Sequence, residues 1–342
     1  MTIRVGILGA AAIAPQAMIV PARAVDGVTV SAVAARDRGR AAAFAEEHGV
    51  PVVEADYRTL CHSTEVDAVY VALPASHHRR WSIEALRAGK DVLCEKPIAL
   101  NATEAREMVA VASEADRLLM EAFHWRYHPL AARMKELVDT RLGELQSVSA
   151  VFTVAIPDRS NIRRQLDLGG GSLMDLGCYP LQWVRHVVGG EPTVIEATAV
   201  EDPAGVDVSF TARLRFDHGD TGDPGDTGDP GDRTVEAEID CSMADDVATV
   251  ATLSAVGSAG KLHVVNPLAP QRGNTLTLET ARGVETEQID SASTYHHQLV
   301  AFRDAVITRV APPTGGIDSI ATMVAIDACY RAAGMRPRTD DR

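Results

Sequence analysis

The sequence predicts an α/β fold in which a doubly wound parallel sheet is followed by an α+β domain with a large, mostly antiparallel open sheet. Three observations predict it. Short, continuously apolar strands alternate with helix patterns over roughly the first 120 residues. Longer strands of alternating polarity, without helices between them, follow in the second half. The length of 342 residues suits two domains of roughly 150 residues each better than one. We predict the domains to be 1–122 and 123–342.

In the first domain, apolar strand runs punctuated by helices indicate a sheet that is covered on both faces. The predicted strands are 3–8, 28–35, 67–72, 91–94 and 118–120. The predicted helices are an alanine-rich stretch after Gly9, then 38–48, 77–88 and 103–115. Pro74 ends the third strand region, and Gly89 is the expected helix C-cap.

In the second domain, strands at hairpin spacing predict an antiparallel sheet. The predicted helices are 127–140, 172–188, 294–309 and 316–333, and the predicted strands are 193–200, 206–216, 233–242, 247–256, 261–265 and 275–289.

Residues 217–232 form an acidic low-complexity insert, in which 219–232 reads GDTGDPGDTGDPGD. This stretch holds too few glycine-led triplets for a collagen helix, so we predict a flexible hairpin tip. The regular aspartates leave a calcium site open as an alternative, although the ligand order of an EF-hand loop is missing.

Composition excludes several classes of protein. A formal net charge of −14 argues against nucleic-acid binding, because phosphates require a basic surface. No apolar run is long enough to cross a membrane, and no leader-like pattern precedes the first strand, so we expect a cytoplasmic protein. The five cysteines are odd in number and widely spaced, so we expect buried thiols, with neither disulfides nor a metal site.

The first strand ends at a candidate phosphate-binding loop. Gly9 opens a G-x-A-x-x-A sequence, in which Ala11 stands where a dinucleotide-binding fingerprint has its second glycine. The backbone N–H groups of Ala10, Ala11, Ala12 and Ile13 are placed to hold a phosphate. The alternative is a glycine-closed turn before an ordinary core helix.

The second strand ends without the carboxylate that would bind the ribose of NAD. Arg36 and Arg38 stand there instead, and guanidinium groups suit a 2′-phosphate, so we predict NADP and disfavour NAD. The alternative is a solvated basic helix start in which Asp37 is the N-cap.

Two further groups of residues carry chemistry. Glu95-Lys96-Pro97 follows the strand 91–94, where ligands bind in parallel sheets. Asp175 and Tyr179 lie four residues apart and share one helix face. A nearby ammonium would lower the pKa of the phenol and fit it for acid–base work. The alternative is that Asp175 and Tyr179 are simply a buried pair whose hydrogen-bonding groups are satisfied.

Together these motifs resemble the Gfo/Idh/MocA oxidoreductases along nearly the whole chain. The resemblance rests on the glycine loop, the turn Ala72-Leu73-Pro74 with His78, Glu95-Lys96-Pro97, Gly169-Gly170-Gly171 with Asp175 and Tyr179, and the C-terminal stretches 295–302 and 326–331. Many members have a histidine where this chain has Tyr179. In this respect the chain is similar to the NADP-using branches of the family: glucose–fructose oxidoreductase, D-xylose and trans-dihydrodiol dehydrogenases, and deoxysugar 3-ketoreductases.

The resemblance implies a Rossmann domain, and a second domain whose open sheet forms a homodimer or homotetramer. It implies that Lys96 lies near the nicotinamide, that Leu73, Pro74, His78, Glu95 and Pro97 line the cofactor site, and that Arg163 is close to the substrate. The predicted reaction is hydride transfer to or from a carbinol or carbonyl carbon of a sugar or small cyclic polyol. Tyr179 would exchange the proton, Lys96 polarise the oxygen and Asp175 orient a hydroxyl.

Three alternatives remain open. The chain could be a dinucleotide-binding regulator without catalysis, a structural protein that uses its open sheet, or an enzyme that eliminates or hydrolyses at a sugar through transient oxidation. Arginines 159, 163 and 164 in the loop 156–168 would suit an anionic substrate, or would simply be solvated.

Overall fold

The computed structural model describes residues 2–217 and 234–339. Its first sheet has six parallel strands in the order β3-β2-β1-β4-β5-β6. The strands are β1 Ile3–Leu8, β2 Val28–Ala34, β3 Val52–Val53, β4 Ala68–Val71, β5 Asp91–Cys94 and β6 Leu119–Glu121. The strand order reverses between β1 and β4, and in such sheets the ligand crevice opens at that point, beyond the carboxyl ends of the strands. The predicted doubly wound sheet is confirmed.

Helices cover this sheet on both faces. They are α1 Val20–Ala22 (preceded by a π-helical turn, Pro15–Ile19), α2 Arg38–His48, α3 Tyr57–His62, α4 His78–Arg87 and α5 Ala102–Glu114. α2 has the predicted bounds because both ends are marked in the sequence. The Asp37 side chain accepts a hydrogen bond from Arg40 N, and Gly49 at the C-cap has φ +73°.

The second sheet has eight strands in the order β14-β13-β12-β11-β7-β10-β9-β8. They are β7 Leu145–Thr153, β8 Thr193–Glu201, β9 Asp207–Asp217, β10 Thr234–Ser242, β11 Val250–Gly257, β12 Gly260–Val265, β13 Thr275–Thr280 and β14 Gly283–Glu287. β7 and β10 pair in parallel, and the other neighbours pair antiparallel. The mostly antiparallel open sheet is therefore confirmed.

The later helices are α6 Pro129–Arg141, α7 Cys178–Val188, α8 Thr294–Thr308 and α9 Ile317–Ala332. α7 lies against β7, β10 and β11, at the centre of the second sheet. α8 returns to the first sheet, where Tyr295, Leu299 and Phe302 pack in one apolar cluster with residues of β1 and β4. α8 therefore packs against the first sheet from the far end of the chain.

Four predictions of elements need correction. β3, α3 and β7 were not predicted, and the single strand 275–289 is a hairpin of β13 and β14. β3 is only two residues long and gives no periodic signal. Gly283, with φ +122°, follows the turn that splits the hairpin. The predicted helix 172–188 begins with a π-helical turn, Leu173–Gly177, before α7.

The acidic repeat 219–232, with its alternative calcium reading, lies outside the described residues. The strands that flank it form an antiparallel pair, with Asp217 opposite Thr234. Within 2–217 and 234–339, no helix is long and apolar enough to cross a membrane. The five cysteines are buried and free, as predicted.

Candidate active site

The loop after β1 is built around Gly9. Its N–H donates to Ala34 O at 2.8 Å, and its φ is +104°. A Cβ at this position would lie 2.5 Å from Ala72 O, after β4, so only glycine permits this close crossing. Ala10, Ala11 and Ile13 are half-buried and Ala12 is exposed. In the described part of the chain, no group accepts a hydrogen bond from the N–H of residues 10–13, which leaves these donors unpaired just beyond the carboxyl end of β1.

The end of β2 is cationic. Arg36 and Arg38 are exposed, and Asp37, the one carboxylate nearby in sequence, is engaged in capping α2. Arg40 was not predicted, yet its Nη2 lies 3.4 Å from Ala10 O, against the glycine loop. The signal was available, because Arg40 belongs to the same cluster of basic residues, Arg36, Arg38 and Arg40, at the start of α2. The Arg36 N–H donates to the Tyr57 hydroxyl at 3.1 Å, so α3 holds this turn in place.

The turn after β4 is fixed by His78. The ring is buried, with Nδ1 2.9 Å from Pro97 O and Nε2 2.7 Å from Leu73 O. Burial lowers the pKa of His78 to about 4, so the neutral ring donates its single proton to one of these carbonyl groups. His78 therefore ties the half-buried Leu73-Pro74 turn to the segment that carries Lys96. The Lys96–Pro97 peptide bond is cis.

Glu95 and Glu121 support the Lys96 segment from two sides. The Tyr70 hydroxyl donates to Glu95 Oε1 at 2.6 Å, and burial raises the pKa of Glu95. Ile98 N donates to Glu121 Oε1 at 2.8 Å, and burial raises the pKa of Glu121 to about 8. Glu121 was not predicted, because it lies 23 residues beyond its partner.

Lys96, Asp175 and Arg163 meet at the centre of the crevice. Lys96 Nζ donates to Asp175 Oδ1 and to Asp175 O, each at 2.8 Å, and Arg163 Nε donates to Asp175 Oδ2 at 2.5 Å. Burial acts to raise the pKa of Asp175, but the two cations outweigh burial and hold it at about 2. The same contact raises the pKa of Lys96 against the effect of burial. All three groups are therefore charged at neutral pH.

Tyr179 lies beside this triad. The centroid of its ring is 5.6 Å from the ring centroids of both Phe123 and Phe152, and each of these contacts is edge-to-face. Lys96 Nζ is 5.1 Å from the ring centroid and directs its hydrogen bonds to Asp175. Burial raises the pKa of Tyr179 well above its ordinary value. The expectation of a lowered pKa is therefore wrong, because desolvation is the largest cause and the nearby acidic groups, Glu95 and Asp175 among them, act in the same direction.

The start of the helix that bears Asp175 and Tyr179 is held by Asp207. Ser172 Oγ and Leu173 N donate to Asp207 Oδ2 at 3.0 and 2.8 Å, while Tyr330 and Arg338 donate to Oδ1. A Cβ on Gly171 would lie 2.2 Å from Asp207 Oδ1, so the glycine is required where the carboxylate packs. Asp207 and Arg338 were not predicted, because no local motif links residues so far apart.

The three arginines of the loop 156–168 make different contacts. Arg164 donates to Ile156 O and to Asp245, and Arg159 also pairs with Asp245. Of these three arginines only Arg163 contacts Asp175. Arg164 is buried, whereas Arg159 is exposed, as the solvated alternative has it. Within the described ranges, no cluster of three or more His, Cys, Asp or Glu residues is placed to hold a metal ion.

Comparisons with known proteins show the family of this chain. Residues 3–123 match the model of the oxidoreductase family with an NAD-binding Rossmann fold, and residues 131–225 match the Gfo/Idh/MocA C-terminal domain. The NADP(+) D-xylose 1-dehydrogenase 2 of Haloferax volcanii is 35% identical over 96% of each chain. The dTDP-3,4-didehydro-2,6-dideoxy-alpha-D-glucose 3-reductase of Streptomyces violaceoruber is 33% identical over 89% of this chain and 85% of its own.

Among solved structures, a 3-ketoreductase from Actinomadura kijaniata in complex with NADP and TDP-benzene superposes with a TM-score of 0.85. It is 30% identical and covers 98% of both chains. The family models and these full-length similarities show that the chain belongs to the Gfo/Idh/MocA oxidoreductase family.

Proposed function

We propose that this chain is an NADP-dependent dehydrogenase or reductase that moves a hydride between the nicotinamide and a carbinol or carbonyl carbon of a sugar or small cyclic polyol. One observation carries the proposal. The Lys96–Asp175–Arg163 triad and the Tyr179 phenol meet beyond the carboxyl end of β5, in the same parallel sheet whose strand β1 ends at the unpaired N–H groups after Gly9. The names of the similar enzymes give the same reaction class.

The residues present fit a phosphorylated dinucleotide. The N–H groups of Ala10, Ala11, Ala12 and Ile13 would hold its pyrophosphate. Arg36, Arg38 and Arg40 would hold the 2′-phosphate, where no free carboxylate opposes it. Leu73, Pro74, His78, Glu95 and Pro97 would line the remainder of the site. When bound, NADP(H) supplies or accepts the hydride.

The protein's own groups manage the charge that develops on the substrate oxygen. The high pKa of Tyr179 keeps its proton in place at neutral pH, so in reduction the phenol gives that proton to the oxygen. An ammonium has three protons, and Lys96 donates two hydrogen bonds to Asp175, so one proton faces the substrate. Asp175 holds both cations and orients a neighbouring hydroxyl, and Arg163 borders the substrate.

A nicotinamide-absorbance assay tests the proposal, run in both directions with NADP(H) and NAD(H). Aldoses, ketosugars, inositols and dihydrodiols form the substrate panel. Net cofactor conversion with a sugar or polyol, faster with NADP(H), is the expected result. Product without net conversion would instead indicate elimination or hydrolysis, and saturable binding without any product would indicate a regulator.

We also propose that the enzyme is cytoplasmic and assembles as a homodimer or homotetramer through the open face of the second sheet. On that face β7 carries serines 147 and 149, which lie beside the exposed glutamates 236 and 238 of β10, and the helices α6 and α7 lie on the opposite face. The domain division at residue 122 remains a prediction.

A further inference from the structure

His124 occupies a position that the predicted reaction does not use. It begins the 3-10 turn His124–Tyr127 after β6 and is 5% exposed. Its Nε2 lies 3.4 Å from the Tyr179 hydroxyl, which has no other hydrogen-bond partner in the described part of the chain. Hydrogen bonds at catalytic groups are often long before substrate binds.

The other ring nitrogen of His124 is also engaged. Nδ1 lies 2.8 Å from Thr294 Oγ1, and Thr294 is fully buried at the start of α8. The ring also stacks on Tyr295, with centroids 4.2 Å apart. Two hydrogen-bonding atoms and one aromatic face therefore fix the imidazole against the phenol.

The charge state of the ring follows from its surroundings. Burial lowers the pKa of His124 to about 3, and the positive charges of Lys96 and Arg272 add to this effect. The ring is thus neutral and carries one proton. If Thr294 donates to Nδ1, that proton is on Nε2 and is directed at the phenol oxygen.

We propose that His124, held by Thr294 in the Nε2–H tautomer, is a positioning residue that donates a hydrogen bond to the oxygen of Tyr179. This inference rests on the proposed reductase function. The hydride adds to the carbonyl carbon, and the phenol proton passes to the substrate oxygen. The phenolate that remains is stabilised by His124 Nε2–H and regains its proton from water. The donated hydrogen bond also leaves the phenol proton free to face the substrate instead of the imidazole.

Enzyme kinetics test the role. His124→Leu is expected to lower kcat about 10- to 100-fold with KM and NADPH binding nearly unchanged, and to shift the alkaline limb of the kcat profile upward. His124→Gln restores a donor and should recover most of the rate. In a Tyr179→Phe background, His124→Leu should have no further effect. An equal effect in both backgrounds would overturn the proposal.

Controls separate the role from folding. His186→Leu removes a half-buried imidazole whose Nε2 lies 2.8 Å from Ala131 O, away from Tyr179, and should leave kcat unchanged. If His124→Leu does not fold, Thr294→Val and Thr294→Ser provide the same comparison. The valine should lose about 3- to 10-fold in kcat, and the serine should recover most of it. Equal rates in these two variants would contradict the Thr294 contact.

A spectroscopic test does not depend on turnover. In 15N-histidine-labelled, NADP-loaded enzyme, the His124 ring should show the neutral Nε2–H tautomer at pH 7, assigned by its absence in His124→Gln. Thr294→Val should redistribute the tautomers. A Nδ1–H ring or an imidazolium would overturn the inference. If no substrate is turned over, the proposed function fails, but this spectrum still decides the hydrogen-bond chain.

Discussion

At the scale of the residue, Lys96 shows how one side chain can serve two purposes. Its ammonium is fixed by two hydrogen bonds to Asp175, and this contact keeps it charged in a buried crevice. We predict that Lys96→Ala lowers kcat by about 1,000-fold, because the developing oxygen charge loses its nearest cation. NADPH binding, followed by fluorescence, should stay within about twofold.

Lys96→Arg keeps the charge with a different shape and should recover part of the rate. Lys135→Ala is a surface control, since Lys135 pairs with Asp139 on α6. A near-normal kcat in Lys96→Ala would show that Lys96 does not polarise the substrate oxygen.

A second residue-scale prediction concerns the cofactor. Arg40 contacts the glycine loop, and Arg36 stands beside it without a carboxylate to neutralise it. Arg36→Ala and Arg40→Ala should each raise KM for NADP about 10-fold or more while KM for NAD stays within about twofold. Arg87→Ala, at the far end of α4, is the matched control. An equal rise in KM for both cofactors would show that these arginines do not bind the 2′-phosphate.

Lys96, Asp175 and Tyr179 could be singled out from the sequence because each belongs to a short motif, and the structure brings the three side chains together, while their catalytic roles stay predictions. It was not sufficient for His124, whose partner Thr294 is 170 positions away. Nor did it predict that burial would raise the pKa of Tyr179. Desolvation depends on side chains such as Phe152 that arrive from another sheet.

At the scale of the element, the helix that carries Asp175 and Tyr179 begins on a buried carboxylate. Asp207 accepts hydrogen bonds from Ser172, Leu173, Tyr330 and Arg338, and is fully buried. Asp207→Asn is expected to lower the free energy of unfolding by about 3–5 kcal/mol, because it leaves Arg338 charged without a buried partner. Urea unfolding of the wild-type protein and the Asp207→Asn variant measures this difference in free energy.

Two variants make this prediction specific. Adding Arg338→Met to Asp207→Asn should recover part of the loss, since the second change removes the unpaired charge. Asp139→Asn breaks an exposed pair on α6 and should cost at most about 1 kcal/mol. A cost at Asp207 no larger than that at Asp139 would contradict the buried network.

Elements were predictable where local signals mark both ends, as Asp37 and Gly49 do for α2. β7 was missed although its residues alternate, because serines 147 and 149 on the outward face weaken the strand signal. The β13–β14 hairpin is predicted as one strand because its two turn residues, Ala281 and Arg282, are not the Asn-Gly or Asp-Gly pair that marks a tight hairpin turn.

At the scale of the whole molecule, distant parts of the chain complete the crevice. α8 brings Tyr295 and Thr294 back to the first sheet, and Arg338 near the C-terminus holds the glycine-rich loop. The two-sheet architecture followed from periodicity, since buried parallel strands and half-exposed antiparallel strands have different patterns. Which distant residues meet in the crevice did not follow, because periodicity carries no information on tertiary pairing.

The outward face of the second sheet bears on the last prediction. In β7 the residues that alternate with buried Val148 and Ala150 point away from α7, and Ser149 lies opposite Ser254 of the neighbouring strand β11. Small side chains at the centre of a broad sheet allow a second copy to approach closely.

We therefore predict a homodimer or homotetramer at micromolar concentration, measured by analytical ultracentrifugation. Ser149→Arg places a long side chain beside Glu238 at the centre of this face, where it blocks close approach, and should shift the mass toward the monomer without loss of NADPH binding. Ser160→Arg, in the exposed loop, should not change the mass. A wild-type protein that sediments as a monomer, or an assembly unaffected by Ser149→Arg, would show that this face is not the interface.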